Sequence, residues 1–465
     1  MESESTRGRL VAVAILGALA ASGCAGTDEA QLLAAAADVA AADEASARVV
    51  TGRGDPAADV PAVQAAVSAG GRVKLAGTFD FGPMGSVVIT RDVAISGRDG
   101  ATVKGGFRSF YGPLPGGAVP SAPGPSISIE NLTFDGASWS PIHLAYARSV
   151  TIRHNRIRNV RPYQPSGFPL GLQAGIHVTT YYQSGNKALV FPGALTGEIE
   201  IRDNELDMSG PAPLGTLCQG INVVRVWGAS VSVRGNTIVE CSRSSIEAID
   251  NHLDEKGRGG VLIAENRIRT ATSGVAWPTP QTPDGIVAGW FLDATGATDP
   301  ARNPGYHVVG NRIEARGGTA TGIYSSSSGA RIERNRVRIG GPGAYGIAAS
   351  APETRLSGNR VVGEGLYAFA VFAYPSLASL VPTGVVSTCD RAPGFTARSS
   401  SGAAFLLGGN HNTVIGFDGT VFDDGSDNRV LAVRHEDGGV EQGGDCGPGG
   451  DGRGDDDQDL EAGGR

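Results

Sequence analysis

Beyond its N-terminal segment the chain has no apolar run long enough to cross a bilayer, so no membrane-spanning helix is expected there. Five cysteines form no CxxC pair and no Cys/His spacing of the kind a structural zinc needs. Net charge is −8, and no basic stripe or Arg-rich arm stands out along the chain, so nucleic acid is not an expected partner. Aromatic residues are scarce, at 6%. Glycine is abundant, with 70 residues, which is the composition of a turn-rich all-β protein.

The glycines punctuate a repeat. Between His307 and Gly363 run the units VVGNRIE, RIERNRV and RLSGNRV, whose asparagines Asn311, Asn335 and Asn359 are spaced 24 and 24 apart. Each unit holds short apolar–polar alternations separated by turn residues, and no helical period of ten or more residues interrupts them. A fixed period of this size means stacked units, each touching only its neighbours. Coiled into a solenoid, the inward Ile and Val of one rung stack on those of the next at about 4.8 Å. The same Asn-x-apolar signature recurs at Asn131, Asn155, Asn204, Asn236 and Asn266. Larger gaps are rungs with insertions. The repeated Asn suits one turn of every rung, because it tolerates a left-handed backbone and its amide can bond the rungs above and below.

From about Asp55 to Val433 the chain resembles the pectin-lyase-like, right-handed parallel β-helix superfamily. The segment from Asp55 to Gly106 resembles the N-terminal end of that fold, where a short amphipathic helix (Val60, Val63, Val67) covers the open end. The resemblance implies an all-β, right-handed parallel β-helix solenoid with a short N-terminal capping helix. Such solenoids carry lyases, hydrolases, epimerases and non-enzymatic adhesins, so the fold does not choose a function. The paired Asp and Gly-His-Gly of polygalacturonases are absent here. So are the Trp-Ile-Asp-His of pectate lyases and the Asp-Pro-His-Glu of alginate epimerases, and no catalytic residue carries over from those families.

Residues 1–24 read as a signal segment: Arg7 and Arg9, then the apolar run Leu10 to Ala21, then Ala21-Ser22-Gly23-Cys24. The last four resemble a bacterial lipobox. That resemblance implies acylation of Cys24, a membrane attachment through the lipid, and placement in the outer membrane. Residues 25–54 are Ala-rich and expected as a tether, 55–433 as the β-helix, and 434–465 as a Gly/Asp-rich disordered tail. A closed solenoid wall offers few free edges, so a monomer is expected. Setting Cys24 aside leaves four cysteines. Cys218 and Cys241 fall in the same turn of adjacent rungs and make one expected disulfide, with Cys389–Cys446 as the remainder.

The strand that opens each rung supplies the candidate site. Its segments PIHLAY, GIHVTT, GINVVR, SIEAID, GIVAGW, GIYSSS and GIAASA share an inward Ile. The next residue points outward, which gives one line of His143, His177, Asn222, Glu247, Val287, Tyr324 and Ala348. Three residues further lie Tyr146, Thr180, Arg225, Asp250 and Trp290. Insertions flank this strand and carry Tyr163, Phe168, Tyr181, Tyr182, Trp277 and Phe291, aromatics suited to sugar rings. For β-elimination of a uronate polymer, His177 or His143 could be the base. Arg225 could hold the carboxylate, or Glu247 and Asp250 could bind a Ca²⁺ that does so. For glycoside hydrolysis, Glu247 and Asp250 are the two carboxylates, with Asp254 and Glu255 as loop alternatives. His143, Asn222, Tyr181 and Trp290 would line the substrate. These sets overlap, so a polysaccharide lyase, a glycoside hydrolase and a non-catalytic glycan-binding surface protein all remain open.

Overall fold

The computed structural model describes residues 47–109, 124–145, 147–163, 171–179, 181–184, 187–190, 197–209, 216–224, 226, 228–253, 256–270, 284–289, 305–372 and 381–431. For 181–184, 187–190, 216 and 217 only the backbone is described. The expected signal segment with Cys24, nearly all of the tether and the acidic tail lie outside these residues. The described residues from Val49 onward form the solenoid.

Its strands form a parallel β-helix. One sheet of twelve strands runs from Ser86–Val88 to Val421–Asp423, each strand bonded to its counterpart one rung away; a 23-stranded set covers the other faces. The inward isoleucines expected from the GI segments stack in register. Ile142, Ile176, Ile221, Ile246, Ile286, Ile323 and Ile347 pair one to the next and continue into Phe369 and Phe405. All are fully buried, each burial stabilising by about 1.5–3 kcal/mol before conformational entropy is counted. Toward the N-terminal end Phe79, Phe81, Phe107 and Phe134 form an edge-to-face aromatic spine in the same interior.

The helix Pro56–Ser68 starts at an Asp55 N-cap whose side chain accepts from Ala57 N, with Pro56 in the first turn. It lays Val63 and Val67 on the core, and Val60 packs beside them. Buried Asp59 fastens it by accepting from the main-chain N–H groups of Arg53, Asp55 and Asp80. The expected tether ends earlier than residue 54. A strand occupies Arg48–Thr51, Val50 packs against the core, and Gly52 N donates to Ala76 O. The adjacent pair Val49 and Val50, within a polar, Ala-rich stretch, is too short an apolar run to mark a strand in the sequence.

One turn of nearly every rung carries the asparagine ladder. Nδ2 of Asn155, Asn204, Asn236, Asn266, Asn311 and Asn335 donates to Oδ1 of the next asparagine at 2.9–3.0 Å, ending on Asn359. Each main-chain N–H bonds the same acceptor. Two corrections follow. The left-handed residue is the one before the Asn: His154, Asp203, Gly235, Glu265, Gly310, Arg334 and Gly358 all have positive φ. Asn131 is that preceding residue in its own rung, because Arg156 pairs with Thr133 and Leu132 takes the ladder position. Its apparent 24-residue spacing is therefore a slip of one.

A third correction concerns charge. The register that stacks the asparagines also stacks arginines: Arg267, Arg312, Arg336, Arg360 and Arg391 pair in succession and all are exposed. A basic stripe exists. Inspection along the chain misses it because its members stand 24 to 45 residues apart.

Candidate active site

The outward line read from the sequence is the line the strands form. His143 pairs with His177, His177 with Asn222, Asn222 with Glu247, then Val287, Tyr324 and Ala348. These side chains point away from the core, yet His143, Asn222 and Glu247 are at most 8% exposed, and His177 is half-buried. An outward but enclosed polar row is unusual for a solenoid wall, where such positions normally meet water.

The row begins one rung earlier than the GI segments suggest. Arg108 pairs with His143 and is itself buried. Its guanidinium carbon lies 5.2 Å from the centroid of Trp139, a cation–π contact. The Trp139 ring stands 4.6 Å from His143 and 6.3 Å from His177, edge-on to both. The two imidazoles are 4.7 Å apart. Trp139 occupies the turn before the strand Ile142–Leu144 with φ 70°. That left-handed conformation is costly for a large side chain. Main-chain bonds hold it there: Trp139 N donates to Arg161 O, and Ala174 N donates to Trp139 O. Backbone strain that places a half-exposed indole beside two imidazoles is a mark of a functional position.

Electrostatics separate the members of the row. Burial holds His177 down to about 4. His143 lies well below the ordinary imidazole value, first through burial, then through His177 and Arg108. Both rings are therefore neutral at neutral pH. Among the described residues, Nε2 of His177 is buried and has no hydrogen-bond partner, and neither has Oδ1 of Asn222. Glu247 is held instead. Its Oε1 accepts from Gln219 Nε2 at 2.8 Å and from Asn222 Nδ2 at 3.5 Å, while Oε2 lies 3.5 Å from Arg243.

Asp250 does not join this row. It sits past the end of the strand Ser244–Ile249, buried in a turn with φ 54°. Arg225, Trp290, Asp254 and Glu255 lie outside the described residues, as do Tyr146, Thr180, Phe168, Trp277 and Phe291. For Tyr181 and Tyr182 the backbone is a strand, Tyr181–Ser184, in an antiparallel hairpin with Lys187–Val190. Tyr163 is exposed and bridges Leu172. Among the described residues no three His, Cys, Asp or Glu side chains converge as metal ligands. The expected Ca²⁺ pair of Glu247 and Asp250 is divided between a strand row and a turn. The disulfide Cys218–Cys241 is formed, with Cα atoms 5.3 Å apart, and it ties two rungs of the row together. Cys389 is also disulfide-bonded. Its partner is outside the described residues, where Cys24 and Cys446 remain.

Sequence reasoning missed Arg108, Trp139 and Gln219. Arg108 lies in GFRSF, a rung without the Gly-Ile marker. Trp139 is in a turn and has no place in a strand alignment. Gln219 stands three residues before Asn222, a line in which only the later turn was sought.

No family model matches the chain, and no curated protein does. Among solved structures it is similar to the A-module of the Azotobacter vinelandii mannuronan C-5 epimerase AlgE6. Identity is 12%, coverage 82% of this chain and 96% of that one, and the TM-score 0.53. It is also similar to the Streptococcus pneumoniae surface protein and adhesin PfbA, with 11% identity, 82% and 100% coverage and a TM-score of 0.40. A mannuronic acid specific polysaccharide family 6 lyase from human gut microbiota matches at 9% identity, 83% and 82% coverage and a TM-score of 0.29. The epimerase module shares the fold: the chain is a parallel β-helix.

Proposed function

We propose that the chain acts on an acidic polysaccharide by removing the proton beside a uronate carboxylate, with His177 as the base. One observation carries this reading: a neutral imidazole whose Nε2 is buried and unengaged among the described residues, flanked by Trp139 and His143. A base must be deprotonated and aimed at its proton. The C5–H bond would break toward Nε2, the C4–O4 bond would open as the C4–C5 double bond forms, and the proton would return to O4. Arg108 or Arg225 would offset the charge that develops on the carboxylate. Trp139 offers a flat apolar face for a ring. Hydrolysis is less well supported, because two carboxylates must flank the bond and the row contains one. The AlgE6 module, similar in fold, is an epimerase named for the same carbon.

A second reading has its own support. The Glu247 carboxylate is engaged by Gln219 and Asn222, which suits a site that holds a glycan without reacting. A panel of polyuronates and neutral glycans, followed for unsaturated and reducing ends, separates the two. Unsaturated ends from a polyuronate, lost in His177→Ala, support elimination. Binding without new ends supports the adhesin-like reading. Activity unchanged in both His177→Ala and Glu247→Gln removes this row as the site.

The same proposal includes export and lipid anchoring at Cys24. The Cys218–Cys241 disulfide supports an oxidising compartment. Mass spectrometry of the mature N-terminus is the test, and an unmodified Cys24 overturns the anchor.

A further inference from the structure

The arginine row lies on a different sheet from the histidines. Arg267, Arg312, Arg336 and Arg360 are joined by direct strand pairing, and Arg391 by a bridge to Arg360. At one rung per step, the five guanidinium stems span about 19 Å. Further back in the same column the pattern differs. Arg156 pairs with Glu205, and the two form an ion pair at 3.3 Å. Arg158, Arg153 and Arg269 likewise have carboxylate partners, in Asp135, Glu130 and Glu240. The five stacked arginines have no side-chain hydrogen bond or ion pair among the described residues. Nearby carboxylates are committed elsewhere, Glu314 to Arg316 and Glu333 to His307.

Like charges directly opposite each other on neighbouring strands are destabilising. Alternating Arg and Glu, as at Arg156 and Glu205, would avoid that cost. The chain instead repeats the unfavourable choice at five consecutive rungs. It also does so although the acidic residues of the chain are not scarce there: residues 55–433 hold 32 basic and 30 acidic side chains, while residues 435–465 hold ten acidic and two basic ones.

We infer that this row is a docking face for a linear polyuronate, separate from the histidine site. Charge and geometry together select the ligand. An extended polymer with a carboxylate on every ring can lie along the rungs and meet successive forked guanidiniums, which bind carboxylates two bonds at a time. Single-stranded nucleic acid fits less well, since its binding faces interleave aromatic platforms for the bases. The row and the residues paired beside it contain none. The inference rests on the proposed substrate class. It assigns the face the task of keeping the polymer on the protein while the histidine site works.

The test is equilibrium binding of fluorescent oligogalacturonate and oligomannuronate to the full chain, read by anisotropy at several salt concentrations. Replacing three members, Arg312→Gln, Arg336→Gln and Arg360→Gln together, is expected to weaken binding by about tenfold, the size three exposed ion pairs supply. It should also flatten the salt dependence. The corresponding triple Lys variant keeps charge and should retain most of the affinity. Its melting temperature should match the parent, and that of the Gln variant should be no lower, since the substitution relieves the repulsion between paired arginines. Equal binding by the parent and the triple Gln variant overturns the inference. So does equal affinity for heparin or for single-stranded DNA, each of which would indicate a face for a different polyanion. Because the readout is binding, it stands or falls independently of product formation at His177.

Discussion

Two titratable residues, one buried and one half-buried, make opposite demands on the folded state. Asp390 takes the ladder position after Asn359 and accepts from the Asn359 main chain and amide, with Ser387 Oγ on its second oxygen. Every asparagine before it also donates to a carbonyl one rung back, as Asn359 does to Ile332. An ionised carboxylate cannot donate. Burial therefore raises its pKa from 3.8 to about 6. An acid with a raised folded pKa binds more protons folded than unfolded between these values, so its contribution to stability is lost as pH rises from about 4 to 6. The loss is at most about 3 kcal/mol. Asp390→Asn is expected to be more stable than the parent at pH 7, with the difference vanishing near pH 4, measured by urea denaturation at both. His177 works the other way. Its folded value near 4 lies below the ordinary 6.5, so its contribution is present above 6.5 and is lost as pH falls toward 4. In catalysis the same depression has a visible sign. If His177 is the base, the acid limb of kcat/KM, which reports the free site, falls near pH 4 and not near 6.5. A limb at 6.5 that disappears in His143→Gln would transfer the role to another group.

At the scale of elements, the ladder shows what was legible and what was not. Period and turn chemistry along His307–Gly363 were enough to set rungs, inward isoleucines and the line from His143 to Glu247, because Gly-Ile fixes which residue faces in. Asn131 shows the limit: in NLTF an asparagine one place early looks the same as a ladder member until strand pairing places Leu132 opposite Asn155. Trp139 and Arg108 were invisible for a different reason, since turns and unmarked rungs carry no period. The ladder itself predicts a large local cost. Asn311→Ala removes the acceptor used by Asn266 N and Nδ2 and the donor to Ile263 O and Asn335 Oδ1, all buried. Stranding those groups should cost about 2–4 kcal/mol, read as a shift in the denaturation midpoint. A cost under about 1 kcal/mol would mean that water or a relaxed turn replaces the amide.

Across the whole molecule, rungs that touch only their neighbours make stability and surface pattern both additive along the axis. The enclosed polar row and the arginine row belong to different sheets and occupy successive lengths of the solenoid, meeting at the rung that carries Glu247 and Arg267. The apolar stretch that continues the line, Val287, Tyr324, Ala348 and Ala370, is likewise buried outside the main core, with Tyr367 in the same cluster. One solenoid wall thus changes from polar to apolar along its length, and that change is decided residue by residue at one outward position per rung. Total charge, hydropathy and composition average over these positions, which is why they reported an acidic chain and concealed the arginines.

The 24-residue spacing of Asn311, Asn335 and Asn359 makes length itself an adjustable quantity. Each of these rungs brings one asparagine for the interior turn and one arginine for the surface. Copying the unit from Arg312 to Asn335 in tandem would insert a rung whose ends already match, lengthening the charged track by one site while leaving the histidine rungs untouched. Descent by duplication of such a unit would give a family of rulers that measure polymers of different length with the same tooth.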